Sequence, residues 1–184
     1  MKFNHANTED RVYDDLVVRS SSGKDMTIGA IRNERRGVLV FVRHFGCIFC
    51  RDRVAQTIAE AKRRVTDDEF IAIVGNGTTP MAQDFIDKFK LDIPLYTDRL
   101  GTVYRALGME RKLGLGPRSW LSAISAFRKG HRQGQVRGDP LQQGGALVFD
   151  TNGRVVHSQT DESAGDNVDW HQIGQVLSDI RHLQ

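Results

Sequence analysis

One junction limits the folds open to this chain more than any other feature. The run Gly37-Val38-Leu39-Val40-Phe41-Val42 is followed a few residues later by Cys47-Ile48-Phe49-Cys50. After Gly37 the run is apolar at every position, so it lacks the alternation of a strand with one wet face. Such a strand is covered by helices on both sides of its sheet and lies near the middle of that sheet. From Cys50 to Val65 the pattern changes, with Val54, Ile58, Ala61 and Val65 recurring at helical spacing among Arg, Gln, Glu and Lys. That is an amphipathic helix. A buried strand, a cysteine pair and a helix, in that order, call for an α/β fold.

The rest of the chain extends the alternation. Phe70-Ile71-Ala72-Ile73-Val74 reads as a second buried strand ended by Gly75-Asn76-Gly77, and Pro80 stands near the start of a helix over Met81 to Lys90. Leu95-Tyr96-Thr97 is a short strand, and Thr102 to Leu107 a short helix closed by Gly108. Upstream, Leu16 to Arg19 and Met26-Thr27-Ile28 form extended pieces around a polar turn, an edge hairpin. Ala146 to Asp150 and Arg154 to His157 flank Thr151-Asn152-Gly153, whose Asn-Gly pair predicts a second hairpin before a last helix over Val168 to Leu183. Glu110 to Pro140, rich in glycine, reads as an insertion with one short helix at Trp120, Leu121, Ile124 and Phe127. The 184 residues fit one domain, 1–184, with a polar N-terminal extension over 1–11.

With 39 % hydrophobic and 27 % charged residues the chain is neither disordered nor collagen-like. No stretch reaches the roughly 18 consecutive apolar residues of a membrane-spanning helix. Met1 to Arg11 lacks the apolar region of a secretory signal, so a reducing, cytoplasmic location is expected. The segment from Arg105 to Arg137 carries eight Lys or Arg against Glu110 alone. No aromatic-rich nucleic-acid motif accompanies it, so a solvated basic face is expected and nucleic acid is not an expected partner.

Cys47 and Cys50 are the chain's two cysteines, too few for a disulfide framework or a four-cysteine zinc site. The six histidines show no metal-binding spacing, and neither a metal nor a cofactor is expected. At a strand-to-helix junction, the unpaired N–H groups and the positive end of the helix dipole favour thiolate over thiol. Residues three apart on a helix are neighbours, so the pair can close a disulfide without rearranging the backbone. Arg43, His44, Arg51 and Arg53 crowd the motif, with Asp52 opposing, and this charge further lowers the thiol pKa. The competing possibility is two inert, buried cysteines packed as small hydrophobes.

The segment Phe41-Val42-Arg43-His44-Phe45-Gly46-Cys47-Ile48-Phe49-Cys50-Arg51 resembles the active-site segment of the AhpC/TSA-related peroxiredoxin-like 2 proteins, the group that includes prostamide/prostaglandin F synthase. Further matches follow at Pro94-Leu95-Tyr96-Thr97-Asp98, Tyr104-Arg105-Ala106-Leu107-Gly108-Met109, Gly138-Asp139 and Gln143-Gly144-Gly145, so the resemblance spans roughly residues 12 to 183. It implies a thioredoxin-like fold: a central mixed β-sheet flanked by helices, with the insertion around 110–140. It also implies a peroxiredoxin-like thiol oxidoreductase that reduces a peroxide or a disulfide through Cys47 and Cys50 and is reset by an external thioredoxin- or glutaredoxin-like dithiol. Peroxiredoxin relatives often dimerise, so a homodimer is among the expectations. Where typical peroxiredoxins carry Pro-x-x-x-Thr-x-x-Cys, this chain has Arg43, Cys47 and Cys50 at the Pro, Thr and Cys positions. By the thioredoxin comparison Cys47 attacks and Cys50 resolves; by the peroxiredoxin comparison the roles reverse. Arg43 is the candidate for polarising a peroxide oxygen or holding the thiolate. Two alternatives stand beside this: reduction of a lipid endoperoxide, and a non-enzymatic binding module switched by the disulfide.

Gly75-Asn76-Gly77-Thr78-Thr79-Pro80 opens a helix like a dinucleotide loop, but Pro80 stands where the third glycine belongs, so an ordinary turn is expected. His44 and His157 are the histidines weighed for acid–base work near the sulfurs. Tyr96, Asp98 and Tyr104 match the family segment without a chemical role derivable from sequence.

Overall fold

The computed structural model describes residues 13–45, 48–109, 142–161 and 167–182, with backbone alone at 48–52. In chain order the elements are β1 (Val17–Ser20), β2 (Asp25–Thr27), α1 (Ile28–Arg32), β3 (Gly37–Val42), α2 (Ile48–Arg64), β4 (Phe70–Gly75), α3 (Thr79–Phe89), β5 (Leu95–Thr97) and α4 (Thr102–Ala106). They are followed by β6 (Gly145–Phe149), β7 (Val155–Thr160) and α5 (Trp170–His182). The insertion and the N-terminal extension lie outside the described residues.

The strands form one seven-stranded mixed sheet in the order β2-β1-β5-β4-β3-β6-β7. β3, β4 and β5 run parallel, and β6 pairs antiparallel with β3. β3 is central, as its pattern demands, and buried at all six positions. Its even-numbered side chains, Val38, Val40 and Val42, pack with Val54 and Ala61 of α2, Phe85 of α3, and Ile173 and Leu177 of α5. Leu39 and Phe41 point to the opposite face, against Ile28 and Ile31 of α1 and Val103 and Tyr104 of α4. Each such large apolar side chain removed from water contributes about 1.5–3 kcal/mol.

One expectation is corrected. Ile28 does not extend the second strand but opens α1, because the Thr27 hydroxyl accepts a hydrogen bond from the Ala30 N–H at 3.1 Å and starts a helix there. At the other end of the sheet, β7 continues three residues past His157. The register places Val42 beside Gly75, Gly75 beside Thr97, and Phe41 beside Gly145. This row of strand ends lies where β3 hands the chain on to α2.

Candidate active site

β3 delivers the chain through Arg43, His44 and Phe45 towards the cysteine pair. Cys50 falls in the first turn of α2, and Cys47, which lies outside the described residues, immediately precedes that helix in the chain. The first turn of α2 carries no acid and its last turn carries Lys62, Arg63 and Arg64. The cations complement the negative end of the helix dipole, and the absence of an acid from the first turn leaves its positive end for the cysteine motif.

Several contacts fix where the strand ends. Phe45 is buried and packs over the turn after β4: a Cβ on Gly75 or Gly77 would lie 2.4 or 2.5 Å from its ring atoms. Phe45 also meets Phe85 of α3 with ring centroids 5.5 Å apart. The glycines of Gly75-Asn76-Gly77 thus make room for an aromatic ring, and Asn76 turns inward to donate to the Asp98 carbonyl at 3.0 Å. This accounts for the turn without a nucleotide.

Tyr104, fully buried, points its hydroxyl at the carbonyls of Val42 (2.6 Å) and Val74 (3.1 Å) and sets its ring edge-on to Phe41 at 5.2 Å. It ties together the ends of the two central parallel strands. Asp98 caps α4, the helix that carries Tyr104, by accepting from the N–H groups of Thr102 (3.0 Å) and Val103 (2.7 Å). These are structural roles for two residues whose part the sequence left unassigned.

Arg43 stands at the end of β3, half-buried, with Nε donating to the Gln142 carbonyl at 2.9 Å. Gln142 in turn donates to the Met109 carbonyl at 2.9 Å. His44 is buried at the same end of the sheet. His157 is not brought to the site: it pairs across β6 with Val148, which pairs with Val38, placing it about four residues, or 13 Å, from the Val42 end of the sheet. Burial lowers the pKa of His157, and the Asp169 carboxylate opposes that shift.

By sequence Arg53 is one more cation crowding the cysteines. In the structure it is buried and faces Asp161, just beyond β7, with Nη1 and Oδ2 2.7 Å apart. The same nitrogen donates to the Phe41 carbonyl at 3.1 Å. Asp161 donates its own N–H to the Gly144 carbonyl at 2.9 Å and accepts at its carbonyl from Gln143 Nε2 at 2.6 Å. A Cβ on Gly144 would lie 2.5 Å from Arg53 Nη1 and 2.6 Å from Asp161 Oδ2, and one on Gly145 would lie 2.2 Å from the Gln159 carbonyl. Gln143-Gly144-Gly145 is therefore a close-approach motif that lets an ion pair and a neighbouring strand come against the end of β3. Among the described residues no group of three or more metal-ligating side chains converges.

The described architecture and the sequence both have counterparts among known proteins. Residues 59–163 match the family model described as AhpC/TSA antioxidant enzyme. The chain belongs to the AhpC/TSA family. This AhpC/TSA match begins within α2, beyond the cysteine pair. The chain is 30% identical to the prostamide/prostaglandin F synthase of Pongo abelii over 171 residues, covering 88% of this chain and 85% of that protein. It is 26% identical to mouse peroxiredoxin-like 2C over 175 residues, covering 89% and 77%. Among solved structures, the bacterioferritin comigratory protein of Xanthomonas campestris superposes with a TM-score of 0.62 at 16% identity, covering 94% of each chain. The fold is that of the peroxiredoxin and thioredoxin-like proteins, and within the AhpC/TSA family this chain is peroxiredoxin-like.

Proposed function

We propose that the protein is a thiol-dependent oxidoreductase, of the peroxiredoxin-like antioxidant type, acting through Cys47 and Cys50. The observation that carries this is the position of Cys50 in the first turn of α2, at the mouth of the most buried strand of the sheet. One cysteine, as thiolate, attacks the peroxide's terminal oxygen; the O–O bond breaks, the alcohol leaves, and a sulfenic acid remains. The second thiol then attacks that sulfur, releasing water and closing the Cys47–Cys50 disulfide. With a disulfide substrate the same pair passes through a mixed disulfide. In either case an external thioredoxin- or glutaredoxin-like dithiol returns two electrons, consistent with a reducing cytoplasmic setting. Arg43 is the candidate to orient the peroxide or hold the thiolate.

Similarity to a prostamide/prostaglandin F synthase supports a second reading, in which the dithiol reduces a lipid endoperoxide to two hydroxyls and itself becomes the disulfide. The deciding experiment is intact-mass spectrometry of the reduced protein after equimolar hydroperoxide, with Cys47→Ser and Cys50→Ser alongside. Loss of two hydrogens in the wild type, with sulfenic acid trapped in one variant, is expected and names the attacking cysteine. No change in any of the three over many minutes sinks the peroxidase reading. Faster turnover of an endoperoxide than of hydrogen peroxide selects the second.

A further inference from the structure

Three large apolar side chains are exposed among the described residues, and two of them, Val17 (49 %) and Leu100 (77 %), line a single cavity of about 720 Å³. That volume suits a drug-sized ligand. β1 pairs antiparallel with β5, Arg19 opposite Thr97, so the residues before Val18 and those after Thr97 lie at one edge of the sheet. This is the edge at which the parallel strands β4 and β5 end, the side on which α/β sheets receive ligands. Each wall of the cavity carries one charge next to one apolar side chain: Asp15 with Val17 on the way into β1, and Arg99 with Leu100 on the way out of β5.

Both walls are held by groups other than these side chains. Asn76 Nδ2 donates to the carbonyls of Asp98 (3.0 Å) and Arg99 (3.4 Å). Leu16 donates its N–H to the Tyr13 carbonyl at 3.1 Å and accepts from the Ile28 N–H at 2.9 Å. The other charges of the lining are already spent. Arg19 Nε and Nη2 donate to the Asp25 carboxylate at 2.6 and 3.1 Å, and Asp98 accepts from the N–H groups of Thr102, Val103 and Tyr104. Asp15 and Arg99 are exposed as Arg19 and Asp25 are, yet their side chains make no ion pair or hydrogen bond among the described residues. Two opposite charges thus face one apolar space and pair neither with each other nor with their neighbours.

We infer that this cavity is a binding site for a short peptide with free termini and apolar end residues. The peptide's ammonium meets Asp15, its carboxylate meets Arg99, and its end side chains cover Val17 and Leu100. A plain amphipathic acid would satisfy Arg99 but leave Asp15 with a charge of its own sign in the same space. The site does not involve the cysteine pair, so it stands or falls apart from the thiol chemistry proposed above.

Isothermal titration calorimetry of the full chain with the tripeptide Leu-Ala-Leu, its N-acetyl form and its C-terminal amide tests this. The free tripeptide is expected to bind, and each block to weaken it about fivefold, the yield of an ion pair in contact with water. Arg99→Gln abolishes the difference between acid and amide and keeps that between free and acetylated amine; Asp15→Asn does the reverse. Leu100→Ser weakens all three ligands alike. The three altered side chains are exposed, so the variants keep the fold, which far-UV circular dichroism checks. No binding at millimolar tripeptide, or equal binding of free and blocked forms, overturns the inference. Tighter binding of the acetylated form overturns it too and assigns the cavity to amphipathic acids. Variants that leave all three affinities unchanged place the peptide elsewhere and are equally fatal.

Discussion

Two buried carboxylates stand at opposite ends of the sheet, and they are held in different ways. Glu69, just before β4, is fully buried and meets two guanidiniums: Arg36 at 3.2 Å and Arg181 at 2.5 Å. Those partners keep contact with water, at 12 % and 28 % exposure, and each has another acceptor, Asp68 at 3.0 Å and the Arg64 carbonyl at 2.6 Å. Asp161, at the cysteine end, meets Arg53 with both side chains out of water. The first cluster is a seam that fastens α5 and the end of α2 to the sheet. The second holds a charge pair out of water beside the first turn of α2. What differs is therefore each cluster's tolerance to losing a member rather than its charge count.

The contrast breaks most visibly by truncation. Asp161→Ala removes the carboxylate that faces a buried guanidinium and is expected to cost about 3–5 kcal/mol, read from urea unfolding. Glu69→Ala leaves cations that can turn to solvent or to their second acceptors, and costs about 1.5–3 kcal/mol. Equal losses, or the reverse order, would show that the two ends are not distinguished as described. Tyr104→Phe sharpens the comparison at the cysteine end alone. It removes the hydroxyl that ties the Val42 and Val74 carbonyls, and a loss of about 1–1.5 kcal/mol is expected in thermal unfolding.

The smallest effect is in pH dependence. Burial lowers the folded-state pKa of His157, against the pull of Asp169. The unfolded chain takes up this proton near pH ~6.5 while the folded protein still resists it, so stability falls as pH drops from ~6.5 towards the folded value. A lower urea midpoint at pH 5.5 than at 7.5, flattened in His157→Gln, is expected. Identical slopes in the two proteins would remove His157 from the account.

Much of the fold was legible in sequence because it follows from local pattern. The unbroken apolar run of β3 demanded a central strand, the Asn152-Gly153 turn demanded the β6–β7 hairpin, and helical spacing located α2, α3 and α5 to within a few residues. Helix α1 was missed because Ile28, its first residue, continues the extended Met26-Thr27 pattern and no glycine marks the helix's end as Gly108 does for α4; its signal is the Thr27 cap. Cys50 was legible as a position, since strand, motif and helix are contiguous. The partner of Arg53 was not. Asp161 lies about a hundred residues further along the chain, and nothing in its own segment marks it as anything but a polar residue after a strand.

The sequence by itself determined the α/β character, the central strand and the position of a cysteine pair at a strand-to-helix junction, because periodicity and adjacency are properties of neighbours in the chain. Only the tertiary structure decided that Arg53 is neutralised rather than free, that Gly144 and Gly145 are spaces for an ion pair and a strand, that Tyr104 locks two strand ends, and that His157 lies away from the site. Charge, burial and hydrogen bonding at a point depend on which distant segments the register brings there. That register is fixed by how β6 and β7 fold back onto β3.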